Sequence, residues 1–348
     1  MILLKPEVAQ GLDDPQALRA ALQAAIELEH ATIPPYLYAL YSLYDPPDGA
    51  ANREIASLLR SVVLEEMTHM GLACNILNAI GGAPSIDTAS FIPEYPGALP
   101  GGIESQLTVP LSPFTPDLVF DVFMVIEEPE TAIEFRDTLE LAPHLTIGQF
   151  YEAIAAQLSA EGDAIFTGDP SRQVSHELGS AELVAVSNLA DALHAINTIV
   201  EQGEGTTKVP VDERGELAHY YKFAEIHHGH RLVLNPDVAP DAPPEDHYSY
   251  TGAEIAFDPA GVRPLVLNPK RETYPAGSEA RYANDSFNYT YTSLLKSLHA
   301  TFNGQPRLLT ASIGLMESCK QQALELGALP FGKGRRAGPS FQYQPTNP

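Results

Sequence analysis

The chain has 348 residues, with 45 Asp and Glu against 20 Lys and Arg and a formal net charge of −25. That balance leaves no positive charge to spare for nucleic acid or an anionic membrane, and no run approaches the roughly 18 uninterrupted apolar residues of a membrane span. The two cysteines, Cys74 and Cys319, exclude a disulfide framework and a Cys-based zinc or iron–sulfur site, so a bound metal would have to be held by His and carboxylates. The opening MILLKPEVAQ lacks a basic segment followed by an apolar one, and the expected location is cytoplasmic.

Taken in chain order, residues 14–44 read as a helix opened by Asp13 or Asp14 with Pro15 at its first position. Residues 52–80 read as a second, closed by Gly81, Gly82 and Pro84. The short Asp- and Pro-rich turn between them predicts an antiparallel pair. Residues 84–116 carry seven prolines and a few alternating apolar positions, which predicts an ordered crossover with a short strand pair. Shorter helices are expected at 117–127 and 146–160, and a second long pair at 180–204 and 213–232. A Pro-, Asp- and Gly-rich stretch runs from 235 to 280. Helical periodicity returns at 281–302 and 306–327 before a Gly/Pro tail. The expected organisation is an all-α bundle over 1–235, with an insertion at 84–178, and a C-terminal extension over 236–348 packed on it.

Charged residues at positions that helical periodicity reserves for the core locate the chemistry. In the first helix the apolar stripe runs Leu18, Leu22, Ala25, Glu29, Ile33, Tyr36, Leu40, so Glu29 points inward. In the second it runs Ile55, Leu59, Val62, Glu66, His69, Ala73, Ile76, which places a Glu-x-x-His pair in its middle. Measured from a turn centre near Asp48, all three lie roughly 28 Å along their helices at 1.5 Å per residue, on one level of the bundle. The second long pair repeats the pattern, with Glu201 or Glu204 on one helix and Glu216 and His219 on the other. Register does not choose between Glu201 and Glu204. Periodicity favours Glu204, whose carboxylate at a helix C-terminus would oppose the macrodipole unless a cation lay beside it.

Burying four carboxylates unpaired would cost several kcal/mol each, more than a domain with about 5–15 kcal/mol of net stability can absorb. Four Glu and two His, with Glu-x-x-His on two helices, form the ligand set of dimetal carboxylate bundles. Such oxygen and imidazole donors suit iron or manganese, with zinc as an inert substitute. Other pairs read differently. Glu27 and His30 share a polar face and are expected to be solvated. Glu225 with His228 and Asp191 with His194 are expected to form a structural polar cluster. Glu65 is expected to orient His69 or its twin.

Several separate segments also resemble one family: Leu28-Glu-His-Ala-Thr-Ile-Pro-Pro-Tyr-Leu37, Glu65-Glu-Met-Thr-His-Met70, Asn75-Ile-Leu-Asn-Ala-Ile-Gly-Gly-Ala-Pro84, Ile126-Glu-Glu-Pro-Glu130, Thr146-Ile-Gly-Gln-Phe-Tyr151, Gln202-Gly-Glu-Gly205, His219-Tyr-Tyr-Lys-Phe223 and Gly338-Pro-Ser-Phe341. Together they resemble the ferritin-like domain of the iminophenyl-pyruvate dimer synthase family, which is associated with violacein- and rebeccamycin-type biosynthesis. The resemblance implies a ferritin-like four-helix bundle with a non-haem dimetal centre held by Glu29, Glu66, His69, Glu204 (or Glu201), Glu216 and His219. The resulting expectation is a di-iron oxidase or oxygenase, two metal ions per chain, using O2 or peroxide on a small organic substrate. Rival readings are an iron-binding or ferroxidase protein and a manganese catalase-like one. A homo-oligomer is compatible with either.

Overall fold

The computed structural model describes residues 6–43, 52–101, 107–129, 146–178, 181–203, 210–212, 214–239, 242 and 244–346. Helices dominate, as the periodicity predicts. Helix α1 spans Pro15–Ser42 and α2 spans Arg53–Ala79. Asp14 caps α1 by accepting the Gln16 N–H, and Pro15 fills the first turn, where its missing N–H costs nothing. The two helices run antiparallel, since Arg19 reaches the carbonyl of Ile80 while Thr32 meets Glu66. Helix α1 continues through Pro34 and Pro35. Proline at 35 deprives the Ala31 carbonyl of its helical donor, and the hydroxyl of Tyr95, from the Pro-rich crossover, donates to that oxygen at 2.7 Å. The strand pair expected in the crossover is a single bridge between Gly97 and Val109.

Helix α3 (116–126) opens on Thr115, whose side chain accepts the Leu118 N–H, and carries a π-helical turn over Val119–Phe123. Helix α4, Ile147–Glu161, begins with a reciprocal capping box between Thr146 and Gln149. The segment expected to be helical from 180 instead starts as a short hairpin, β1 (His176–Leu178) against β2 (Ala181–Leu183). Helix α5 begins only at Leu189 and spans Leu189–Gly203 among the described residues. The cause is local: Asp191 accepts bonds from the Ser187 N–H, the Ser187 hydroxyl and the Asn188 amide, a cap that starts the helix there. Helix α6 is likewise shorter than the 213–232 expected, spanning His219–His228. A second small hairpin, β3 (Val233–Leu234) with β4 (Tyr248–Ser249), precedes the last pair, α7 (Glu279–Phe302) and α8 (Leu309–Leu326).

Helix α1 packs on α2 and α4, α2 on α5, and α4 on α5, so these four close a ring. Helices α3 and α6 pair with each other, and α6 leans on α2. The α7–α8 pair covers the other side of α1 and α2. One continuous buried core runs from Leu12 to Phe341, so the bundle and the segment beyond 235 share it; Val266, Tyr274, Ala280, Leu326 and Ala337 form a small second cluster. No helix among the described residues is long and apolar enough to cross a membrane.

The tail is tied to α7 by a polar ladder. Asn284, Asn288 and Thr292 accept, through their side chains, the N–H groups of Ser340, Gln342 and Gln344. The tail passes so close to α1 that a Cβ on Gly338 would lie 2.1 Å from the Tyr38 hydroxyl, which only glycine avoids.

Candidate metal centre

The inward stripe of α1 carries Glu29, Thr32 and Tyr36, and that of α2 carries Glu65, Glu66 and His69; all six are buried. Glu66 is central. One of its oxygens accepts the Thr32 hydroxyl at 2.6 Å, and the other lies 2.8 Å from Nδ1 of His219 and 3.9 Å from Nδ1 of His69. Glu29 accepts the Tyr151 hydroxyl at 2.5 Å and turns its second oxygen to within 3.7 Å of His69 Nδ1. The two imidazole rings stack, 5.4 Å apart and 24° from parallel.

Each histidine is held from behind. Nε2 of His69 meets the side-chain oxygen of Gln202 at 3.0 Å, and Nε2 of His219 meets Glu65 at 2.8 Å. Glu65 is in turn clasped by the buried ammonium of Lys222 at 2.7 and 2.5 Å. With Nε2–H donating in both rings, both Nδ1 lone pairs face the carboxylates. Glu65 thus orients the twin of His69 and not His69 itself.

The fifth group of the cluster is Glu127, which the periodicity does not single out. It stands just beyond the last turn of α3, its N–H donating to the Phe123 carbonyl. One oxygen accepts the Tyr36 hydroxyl and the other lies 3.5 Å from His219 Nδ1. The π turn just before it inserts one extra residue per turn and so re-aims the side chains on its C-terminal side, a device common at functional sites.

The remaining expected ligands are placed differently. Glu216 is exposed in a turn ahead of α6: Asp212 accepts the N–H groups of Arg214 and Glu216, Gly215 takes a φ of +81°, and the helix starts only after Ala218. Glu216 therefore occupies no helical face and stands apart from the cluster. Glu201 is half-exposed near the end of α5, and Glu204 lies outside the described residues. Glu27 is half-buried and bonded to Gln23, while His30, expected to be solvated, is fully buried against Tyr291. Glu225 pairs with Arg231 instead of joining Asp191, which caps α5; His194 is exposed.

The electrostatics call for a cation. Burial pushes the Glu66 carboxyl up to about 7, with the Glu127 charge adding to it. Burial also works to raise Glu65, but the His219 N–H and the Lys222 ammonium outweigh it and hold that carboxyl down to about 2. Burial opposes the charged form of His219, yet the surrounding carboxylates carry its pKa well above the ordinary value. Burial and the Glu29 charge keep the Tyr151 phenol protonated, and burial with Glu127 does the same for Tyr36, so both remain donors. Nδ1 of His219 has no hydrogen-bond partner although carboxylate oxygens surround it. An imidazole lone pair facing two acceptors is stable only with a proton or a metal ion between them. One donor atom each from Glu66, His69 and His219 lies within 4.8 Å of the others. Among the described residues, the one ammonium at the site, Lys222, is engaged by Glu65. The donor set fits divalent metal. A cavity of about 20 Å³ adjoins it, walled by Leu28, Ile147, Tyr151, Ile199 and Gly203 among others.

Comparison with known proteins agrees with this architecture. A family described as ferritin-like matches residues 22–228. A dichlorochromopyrrolate synthase from Lentzea aerocolonigenes is 25% identical over 92% of this chain, which spans 35% of that relative's length. The crystal structure of a ferritin-like protein from Caulobacter vibrioides superposes with a TM-score of 0.58 at 24% identity, covering 90% of this chain and 96% of that one.

Proposed function

The chain belongs to the ferritin-like family, and on that premise we propose that it is a dimetal, di-iron carboxylate oxidase or oxygenase using O2 or peroxide on a small organic substrate. The observation that carries this reading is the inward pairing of two imidazole Nδ1 atoms with three carboxylates, Glu29, Glu66 and Glu127. On this reading Glu29, Glu66, His69, Glu127 and His219 would hold the metal, with Glu66, which lies near both imidazole Nδ1 atoms, common to the His69 and His219 sides. Three carboxylates leave one positive charge uncompensated beside two divalent ions. The fourth anion would come from Glu201 or Glu204, since the cavity is walled both by Val200, just before Glu201, and by Gly203, just before Glu204. Glu216 is the least supported member of the expected set.

When bound, a ferrous pair supplies the electrons and Lewis acidity that O2 chemistry requires. The chain's own part is positional. Thr32 fixes the rotamer of Glu66, while Tyr36 and Tyr151 steady the two outer carboxylates and hold protons beside them. Leu28, Ile147 and Ile199 keep bulk water out, which strengthens every charge interaction inside. The Lentzea relative is named a synthase of dichlorochromopyrrolate; with the family resemblance, that makes an aryl imino or keto acid the first substrate class to test.

The size of the cavity favours a second reading. About 20 Å³ holds roughly one water-sized molecule, which suits peroxide or O2 turnover with no organic substrate, as in a ferroxidase or manganese catalase-like protein. Elemental analysis after reconstitution, followed by anaerobic ferrous loading and O2 titration with and without an aryl keto acid, separates them. Two metal ions per chain and substrate-dependent O2 uptake are expected. Oxygen release from peroxide alone would favour the second reading, and absence of Fe, Mn and Zn would overturn both.

A further inference from the structure

Helices α1 and α2 have two working faces. Opposite the metal-facing stripes, α1 presents His30, Ile33, Leu37 and Tyr41, and α2 presents Arg53, Ala56, Arg60, Met67 and Gly71, both toward α8 and α7. Between them lies a surface groove of about 720 Å³ and, behind it, an inner cavity of about 80 Å³. The two volumes share Leu37, Tyr41, Met67 and Met316 as walls. The lining is mostly aliphatic. Three of the chain's five methionines, Met67, Met70 and Met316, take part in it, and methionine walls adapt to flexible apolar guests.

Charge identifies what such a guest carries. In a chain with more than twice as many acidic as basic residues, the groove wall holds Arg53, Arg60 and Lys320. Lys320 is engaged by Glu317 at 3.3 Å. Arg53 and Arg60 are exposed and make no ion pair among the described residues, standing seven residues apart on one face of α2. At the inner end, His30 is 3% exposed; its Nε2 meets the Tyr291 hydroxyl at 2.7 Å, and its Nδ1 has no partner. A buried polar atom left unpaired is costly, and a hydroxyl on a guest would satisfy it.

We propose that this groove and cavity form a binding site, separate from the metal centre, for an acyl carboxylate, with its carboxylate on Arg53 and Arg60 and its chain running inward toward His30. The reverse orientation would bury a carboxylate among apolar walls with no cation. Charge-assisted bidentate contacts to arginine are the strong kind of hydrogen bond, so the two arginines set most of the head-group preference.

The test uses the full-length, metal-reconstituted chain and decanoate as probe. Isothermal titration calorimetry should show one saturable site. Arg53→Gln with Arg60→Gln should weaken decanoate about tenfold while leaving decanol unchanged, and ω-hydroxydecanoate should bind more tightly than decanoate. The chain has no tryptophan, so Met316→Trp places a single emitter in the shared wall, and decanoate should shift its emission. Unsaturable heat, equal affinity in the arginine variant, or an unmoved emission would overturn the proposal. So would sedimentation showing that the arginine variant alters self-association while decanoate fails to bind, since the groove would then be an interface between copies.

Discussion

The two halves of the candidate metal centre share one arrangement of carboxylate, tyrosine and imidazole and differ in what stands behind it. On one side Glu29, Tyr151 and His69 are backed by the neutral amide of Gln202; on the other Glu127, Tyr36 and His219 are backed by the carboxylate of Glu65, itself neutralised by Lys222. An anion behind an imidazole raises its basicity and fixes its tautomer more firmly than an amide does. The His219 half is therefore the stronger donor, and two metals in chemically matched pockets would be bound unequally. The difference arises from a single pair of residues, Glu65 and Gln202, outside the donor set.

The largest test of the comparison is Glu66→Ala, which removes the group common to both halves. Metal stoichiometry by elemental analysis should fall from two per chain to near zero, with affinity lower by orders of magnitude. Retention of one ion would show that the halves are independent. Lys222→Met strikes one half only. It leaves Glu65 buried with one partner, and because breaking a buried pair costs about 3–5 kcal/mol, chemical denaturation of the apo protein should reveal a loss of that order. Restoring neutrality with Glu65→Gln in the same chain should recover much of it. Metal titration should then show roughly 10- to 100-fold weaker loading at one site of two. Gln202→Ala is the counterpart at the other half, and its effect on the second site should be smaller, about tenfold or less, because an amide contributes less than a carboxylate; equal losses from the two variants would remove the asymmetry.

Acidity should separate the apo and metal-bound forms. Glu66 is raised in the fold, from its ordinary value near 4.5 to about 7, so its native state binds protons more tightly than the unfolded chain. The strain of its charge is present above about pH 7 and relieved as pH falls toward 4.5, which makes the apo protein more stable in mild acid over that window. Metal competes with the same protons, so apparent affinity should fall over that window. Denaturation midpoints of both forms against pH would show opposite slopes. The smallest expected effect is that of Glu27→Ala: the residue also precedes a His by three but faces away from the cluster, so stability should move by no more than about 0.5 kcal/mol with metal retained.

That last contrast shows what periodicity can and cannot read. Glu29, Glu66, His69 and His219 fall where a stripe of apolar residues demands an apolar side chain, and the structure gathers them within a few ångströms. Glu127 has no stripe to break, since it lies one residue beyond a helix whose π turn disturbs the phase. Its signal is of another kind: a carboxylate at a helix C-terminus opposes the macrodipole, the same argument that applies to Glu204. Glu216 satisfies the three-residue spacing but not the helix, because Asp212 and Gly215 hold it in a turn. His30 reads as solvated because Gln16, Arg19, Gln23 and Glu27 lead up to it along α1, whereas its partner, Tyr291, is 261 residues away. Local pattern finds groups that violate their own helix and is blind to those whose meaning comes from distant chain.

The ladder joining the tail to α7 works as a vernier. Four residues of helix advance about 6.0 Å, close to the roughly 6.6 Å that two residues of extended chain would span, and Phe341, with a φ of +49°, shortens the step between the first two rungs, so the two spacings drift apart only slightly. Three rungs, at Asn284, Asn288 and Thr292, tolerate that drift. A fourth would fall to Lys296, which has no oxygen to offer, and its ammonium instead lies over the Tyr343 ring at 6.0 Å. Because alternate tail N–H groups are counted against every fourth helical residue, inserting one residue between 340 and 344 would turn the next rung away. The ladder thus measures where the end of the chain lies, and with it the position of Phe341, which closes the inner cavity against Tyr291.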